Sequence, residues 1–160
     1  IGTVAIPPDR VRDPRELRQP GIGLGRDPCR TPMPWDRSPH AGFSAAEPWL
    51  PLNPDWQERN VAVQDADPRS MLALTRALLR LRRAEDALAV GDYRQVACEG
   101  TLLAYERRSG ATRLLVVLNL GADSLPMPAA ASGGARVLST LSGHSNALRG
   151  NEGVILKLPD

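Results

Sequence analysis

The chain has 160 residues, room for about one ordinary domain, and 42% of them are hydrophobic against 24% charged. That balance fits a folded protein and not a disordered tail. Twenty basic and eighteen acidic residues leave a net charge of +2, too even for a nucleic-acid-binding surface or a trap for acidic substrates. No run of about 18 apolar residues exists to span a membrane. The opening Ile1 to Ile6 has neither a basic region nor the long apolar core of a secretory signal.

Proline sets the organisation of the first half. Twelve of the fifteen prolines fall at or before Pro68. Each fixes φ and removes a backbone donor, which excludes long regular helices and central strands. Residues 7–66 are therefore expected to form one long ordered loop, a length that is unusual without a function. Trp35, Phe43, Trp49 and Trp56 lie in it, four of the six aromatics of the chain. Large aromatics need a surface to pack on, so the loop implies a body beneath it.

The clearest helix follows, expected over about residues 67–85. Asp67 suits the cap and Pro68 the first helical position. Met71, Leu74, Leu78 and Leu81 recur at helical spacing, widened by Leu72 and Leu79. Arg69, Arg76, Arg80 and Arg83 take the opposite, solvated side, and Glu85 and Asp86 interrupt the pattern.

After Gly91 the texture turns to β. Residues 93–97, 101–107, 113–120, 136–141 and 154–158 are short runs rich in Val, Leu and Tyr, separated by glycine-containing turns. Leu114 to Leu118 is an unbroken apolar run, as expected of a central strand covered on both faces. Ser109-Gly110 should turn a hairpin between the second and third runs. Residues 126–134, Pro-Met-Pro-Ala-Ala-Ala-Ser-Gly-Gly, read as a flexible link. No internal repeat is visible. Cys29 and Cys98 are too few for a disulfide framework or a zinc site, and read as reduced thiols of a cytoplasmic protein.

The most specific string is Gly25-Arg26-Asp27-Pro28-Cys29-Arg30-Thr31-Pro32-Met33-Pro34-Trp35-Asp36, followed by Ser38-Pro39-His40-Ala41-Gly42-Phe43. It resembles a loop of the α-glucosidase and oligo-1,6-glucosidase branch of the α-amylase family of glycoside hydrolases. The resemblance continues through Pro48-Trp49-Leu50-Pro51-Leu52-Asn53-Pro54, Asn60-Val61, Asp67-Pro68-Arg69-Ser70-Met71-Leu72 and Leu78 to Arg83. It fades after Tyr93, with a late echo at residues 151–155.

That resemblance implies a fold class of α/β plus all-β. The last loop and helix of a (β/α)8 barrel would be followed by a small antiparallel β C-terminal domain. Residues 1–88 would close the catalytic barrel, with residues 7–66 as the loop after its eighth strand, and residues 89–160 would form the β domain. Barrel enzymes build their sites on such loops.

The implied reaction is retaining hydrolysis of terminal α-linked glucose from short α-glucosides. It needs a nucleophilic carboxylate and an acid/base carboxyl about 5 Å apart. The resemblance puts these groups, and a third assisting Asp, on barrel strands earlier than this segment. No catalytic residue, metal ligand or cofactor is therefore assigned, and the chain alone is expected to be inactive. Gly25-Arg26-Asp27 superficially matches the nucleophile motif, but it lies in a loop.

Arg30 is the one position that the resemblance carries over as substrate-binding. Its guanidinium would pair with a carboxylate from an early loop and hold a hydroxyl of the non-reducing terminal sugar. A rigid fork of donors suits that double contact. The alternative is that Arg30 only ties the loop down by ion pairs. Arg26 and Asp27 read as loop-folding residues, Trp35 as a packing anchor, His40 as a structural hydrogen-bonder and Cys29 as inert. A different class also stays open: a stand-alone, non-catalytic carbohydrate-binding or interaction β module with a helical arm. On either reading the partners are a short α-glucoside or a protein, with no nucleic acid and no membrane.

Overall fold

The computed structural model describes residues 3–143 and 145–159. The chain divides into two compact units, one up to Ala73 and one from Leu74 on.

In the first unit, residues 7–66 are mostly irregular, as the prolines dictate, but two short helices and several single helical turns interrupt them. Helix α1 is Pro14–Arg18, with Asp13 as its cap accepting from the Arg15 N–H and Pro14 at the first position. Helix α2 is Val61–Ala66. Its cap is Asn60, 1% exposed, which accepts from the Val63 N–H at 2.9 Å and donates to the carbonyls of Trp56 and Gln57. The expectation of one uninterrupted loop is corrected accordingly. Caps made by a single Asp or Asn hold a turn or two of helix where hydrophobic periodicity is absent.

The loop aromatics expected to pack on an underlying body find little such surface within this unit. Trp35, Phe43 and Trp49 are 50%, 47% and 59% exposed, whereas Leu50 and Ala41 fill the small core of this unit.

The long helix α3 is Met71–Ala84, starting four residues later than expected. Asp67 instead closes a turn, accepting from the Arg69 N–H through Oδ1 and from the Ser70 N–H through its carbonyl. The cap passes to Ser70, whose Oγ accepts from the Ala73 N–H at 3.1 Å. The break at Glu85 falls as expected, followed by the short helix α4, Asp86–Ala89. Much of the apolar stripe is uncovered: Met71 is 69%, Leu79 50% and Leu78 37% exposed.

The second unit is built on a five-stranded antiparallel sheet. Its strands are β1 (Asp92–Glu99), β2 (Leu102–Ser109), β3 (Thr112–Asn119), β5 (Ala135–Ser139) and β7 (Gly153–Lys157), in the order β1-β2-β3-β7-β5. All five expected runs are strands. Two residue pairs, β4 (Leu125–Pro126) and β6 (Ala147–Leu148), form a separate small ribbon. The β2–β3 hairpin turns between Ser109 and Thr112, with Gly110 at φ 56°, where a Cβ would be strained.

Strand β3 is the centre of the core, and its pleat sends successive side chains to opposite faces. Leu115 and Val117 pack with Ala104, Leu148, Val154, Leu156 and Leu158. Leu114 and Val116 pack with Ala87, Leu88 and Ile155, joined by Leu81 from α3. Residues 126–134, expected as a flexible link, are instead fastened: Met127 and Ala131 pack on the first of these clusters, and Ala129–Ala131 forms a helical turn. The apolar spacing of Met127 and Ala131 is the signal that composition alone concealed.

Buried carboxylates tie the sheet together. Glu106 on β2 lies between Arg94 on β1, at 2.6 Å, and Arg113 on β3, at 2.9 Å. Glu152, just before β7, gathers Arg136, Arg149 and Ser139.

Fold and exposure together predict the proteolytic pattern of the isolated chain. Early cuts are expected before residue 70, leaving a resistant fragment that contains the sheet. The exposed Trp35, Trp49, Met71 and Leu79 should promote association at the same time. Limited proteolysis read by mass spectrometry checks this. Uniform protection of residues 7–66 in a monomeric chain would contradict it.

Candidate functional site

The Arg30-Thr31-Pro32 loop is held by two aspartates whose carboxylates are nearly out of solvent. Asp27 is 3% exposed, and its Oδ2 accepts from the backbone N–H groups of Arg12 at 2.6 Å and Asp13 at 2.7 Å. It opens a helical turn, Asp27–Cys29, that is closed by the Arg30 N–H donating to the Asp27 carbonyl. The Pro28 carbonyl accepts from the Val4 N–H at 3.1 Å. The residues around Arg30 are thus fixed at backbone level from three directions.

Asp13 is 4% exposed. Its Oδ1 accepts from the Arg15 N–H at 2.9 Å and its Oδ2 from the Arg26 N–H at 3.1 Å. Two guanidinium groups approach the same Oδ2: Arg26 Nε at 3.8 Å and Arg30 Nη1 at 3.7 Å. The N–H of Arg15, then that of Arg26, hold the Asp13 carboxyl below its ordinary range. Burial works against them, and the charges of Arg26 and Arg30 add to the lowering. Asp13 is thereby a fixed anion at working pH.

Arg30 keeps 49% of its side chain in solvent while one nitrogen faces Asp13. It is anchored on one side and presents donors on the other. Arg26 and Asp27 do fold the loop, though they do not pair with each other; Arg26 pairs with Asp13, and Asp27 is spent on backbone donors. Sequence reading missed Asp13 altogether. Its signal was the Asp13-Pro14 pair, a helix start that placed a capping carboxylate thirteen residues before Arg26. A cavity of about 460 Å³, lined by Asp13, Arg15, Arg18 and Arg26 among others, opens against this carboxylate.

The neighbouring segment is strained. His40 and Ala41 have φ of 55° and 58°, and Gly42 follows at 66°, conformations that cost about 1–3 kcal/mol each for residues with a Cβ. The Ala41 carbonyl accepts from both Trp35 and Asp36 N–H groups, which fixes the curl and carries Trp35 outward. A Cβ on Gly42 would come within 2.8 Å of the Asp36 carboxylate. Thr31, next to Arg30, is 5% exposed, and its Oγ1 has no hydrogen-bond partner among the described residues. Cys29 and Cys98 are exposed, unbonded thiols. Among the described residues there is no group of three or more His, Cys, Asp or Glu able to hold a metal ion. Among them, too, no helix is long and apolar enough to cross a membrane.

Residues 1–91 match the family model described as alpha amylase, catalytic domain. The chain belongs to the alpha-amylase family. It is 42% identical over 107 residues to a probable alpha-glucosidase of Rhizobium meliloti, a match covering 64% of this chain and 19% of that protein. It is 37% identical over 108 residues to an oligo-1,6-glucosidase of Parageobacillus thermoglucosidasius, covering 67% of this chain and 19% of that protein. Among solved structures it is similar to the alpha-glucosyl transfer enzyme XgtA, with a TM-score of 0.81 and 30% identity over 98% of this chain and 30% of that one. The trehalulose synthase MutB of Pseudomonas mesoacidophila MX-45 superposes with a TM-score of 0.72 at 31% identity, over 83% of this chain and 26% of that one. The matched part of the chain thus spans about a fifth of the length of these curated relatives of the alpha-amylase family.

Proposed function

We propose that this chain is the C-terminal portion of an α-glucosidase that hydrolyses terminal α-linked glucose from short glucosides by a retaining mechanism. In this reading residues 1–88 are the end of the catalytic (β/α)8 barrel and residues 89–160 its antiparallel β C-terminal domain. Residues 7–66 are the loop on the barrel's active-site face.

The observation that carries the proposal is the half-exposed Arg30 guanidinium, anchored by the buried Asp13 inside the segment matched to an amylase catalytic domain. An arginine so held offers fixed donors to a sugar hydroxyl, and a fixed donor loses little freedom on binding. The exposed Trp35, Phe43 and Met71 support the reading, because they are apolar surface suited to covering the rest of a barrel.

The catalytic carboxylates lie outside this chain in this account. Asp13 and Asp27 are nearly buried and held by backbone N–H groups, Asp13 through both carboxylate oxygens and Asp27 through Oδ2, so neither is placed to attack an anomeric carbon or carry a proton to a glycosidic oxygen. Asp13, whose carboxyl is held below its ordinary range, is in addition the wrong acid for that step.

The purified chain is therefore expected to release no product from a chromogenic α-glucoside or from maltose above the buffer blank. Turnover that survives repurification would mean that a competent carboxylate pair lies within these 160 residues. Specific binding of maltose by the inactive chain would favour the non-catalytic module instead.

A further inference from the structure

The geometry points to Asp13 as a positioning residue for substrate recognition, acting through Arg30, with Asp27 setting the backbone that carries it. This rests on the reading of Arg30 as a sugar-binding residue. A half-exposed arginine on a proline-rich loop has many rotamers, and fixing it costs entropy that would be lost from binding. Asp13 removes much of that cost in advance. Its Oδ2 lies 3.7 Å from Arg30 Nη1, and the carboxylate cannot swing away, because the N–H groups of Arg15 and Arg26 hold both its oxygens. Nor can its backbone drift, because Asp27 Oδ2 binds the Asp13 N–H at 2.7 Å. Among the described residues Asp13 is the only ion-pair partner of Arg30.

Arg26 shares the carboxylate from the other side at 3.8 Å, and its side chain is 73% exposed. Asp13 therefore serves two guanidinium groups, of which the resemblance assigns only Arg30 to the sugar.

The test is a double-mutant cycle in the product of the whole reading frame that contains this chain, with kcat and KM measured separately on a chromogenic α-glucoside. Asp13→Asn keeps the shape and one acceptor but loses the charge. It should lower kcat/KM roughly 10-fold, chiefly by raising KM, because a ground-state contact is loosened. Asp13→Glu keeps the charge one methylene away, so it should fold and lose less, about 3-fold.

In an Arg30→Ala background neither substitution should reduce kcat/KM further, since the residue acts only through Arg30. If Asp13→Asn or Asp13→Glu lowers kcat/KM equally in both backgrounds, Asp13 is a loop-folding residue and the inference is overturned while Arg30 keeps its role. If Arg30→Ala alone leaves KM and kcat unchanged, the sugar-binding reading of Arg30 falls, and the positioning role falls with it.

Discussion

Replacing Glu152 with alanine is expected to remove a large share of the stability of the sheet-containing unit and to lower its urea midpoint markedly. Glu152 is 1% exposed. It accepts from Ser139 Oγ at 2.7 Å, Arg136 Nη1 at 3.1 Å, the Arg149 N–H at 2.9 Å and Arg149 Nη2 at 2.9 Å. Without it, Arg136, whose side chain is only 18% exposed, loses the one counter-ion it has among the described residues. Breaking a buried pair by removing one partner costs about 3–5 kcal/mol, against a total stability of roughly 5–15 kcal/mol for a domain. Glu152→Gln should cost less, about 1.5–3 kcal/mol, since the shape and one acceptor oxygen persist.

The pH dependence has a definite sign. Hydrogen bonds from Arg149, with Ser139 adding, pull the Glu152 carboxyl down to about 2 against the opposing effect of burial. Arg113 first, then Arg94, does the same for Glu106, also to about 2. A carboxylate depressed in the folded state contributes its stability fully above its unfolded value near 4.5, and loses it as pH falls from there toward 2. Urea midpoints of the chain should therefore drop steeply across that window, and Glu152→Gln should flatten the drop. Equal midpoints for parent and Glu152→Ala at pH 7 would contradict the assignment of Glu152 as the anchor of this unit.

The second large effect belongs to Arg30. In the complete enzyme Arg30→Ala should lower kcat/KM roughly 10- to 150-fold, the loss of a charge-assisted contact worth about 1.5–3 kcal/mol. Arg30→Lys should restore little, because a single ammonium cannot face Asp13 and a sugar hydroxyl together in the fork geometry. The competing view, that Arg30 only ties down the loop, makes the opposite forecast: a melting temperature several degrees lower with kcat/KM of the folded fraction near normal. Kinetics and melting measured on the same two variants separate these outcomes.

How much of this was legible in the sequence varied with the kind of signal. The β unit was read nearly whole, because Leu114 to Leu118 must be covered on both faces and glycines mark the turns on either side of the hairpin. The helix start was missed by four residues. Asp67-Pro68 and Ser70 are both good caps, and Ser70 takes the role because its Oγ accepts from the Ala73 N–H while donating to the Gln64 carbonyl. Residues 126–134 looked like a link because small residues and proline dominate them, yet two side chains at the right spacing suffice to pin such a stretch to a core.

At the candidate site, Arg30 came from resemblance to the α-amylase family, and nothing in composition or periodicity would have chosen it among nineteen arginines. Asp13-Pro14 is legible as a helix start, but the closeness of Asp13 to Arg30 is not, for a physical reason. Asp13 lies seventeen residues before Arg30, and a proline-rich loop returns on itself through turns whose closure has no periodic signature.

The central claim is that this chain completes an α-glucosidase whose catalytic carboxylates lie outside it. The most direct measurement expresses the whole reading frame encoding the chain and follows a short α-glucoside by proton NMR. The account predicts hydrolysis in which the α-anomer of glucose appears first and then mutarotates, the mark of retention. No turnover by that product, or a first-formed β-anomer, would contradict it.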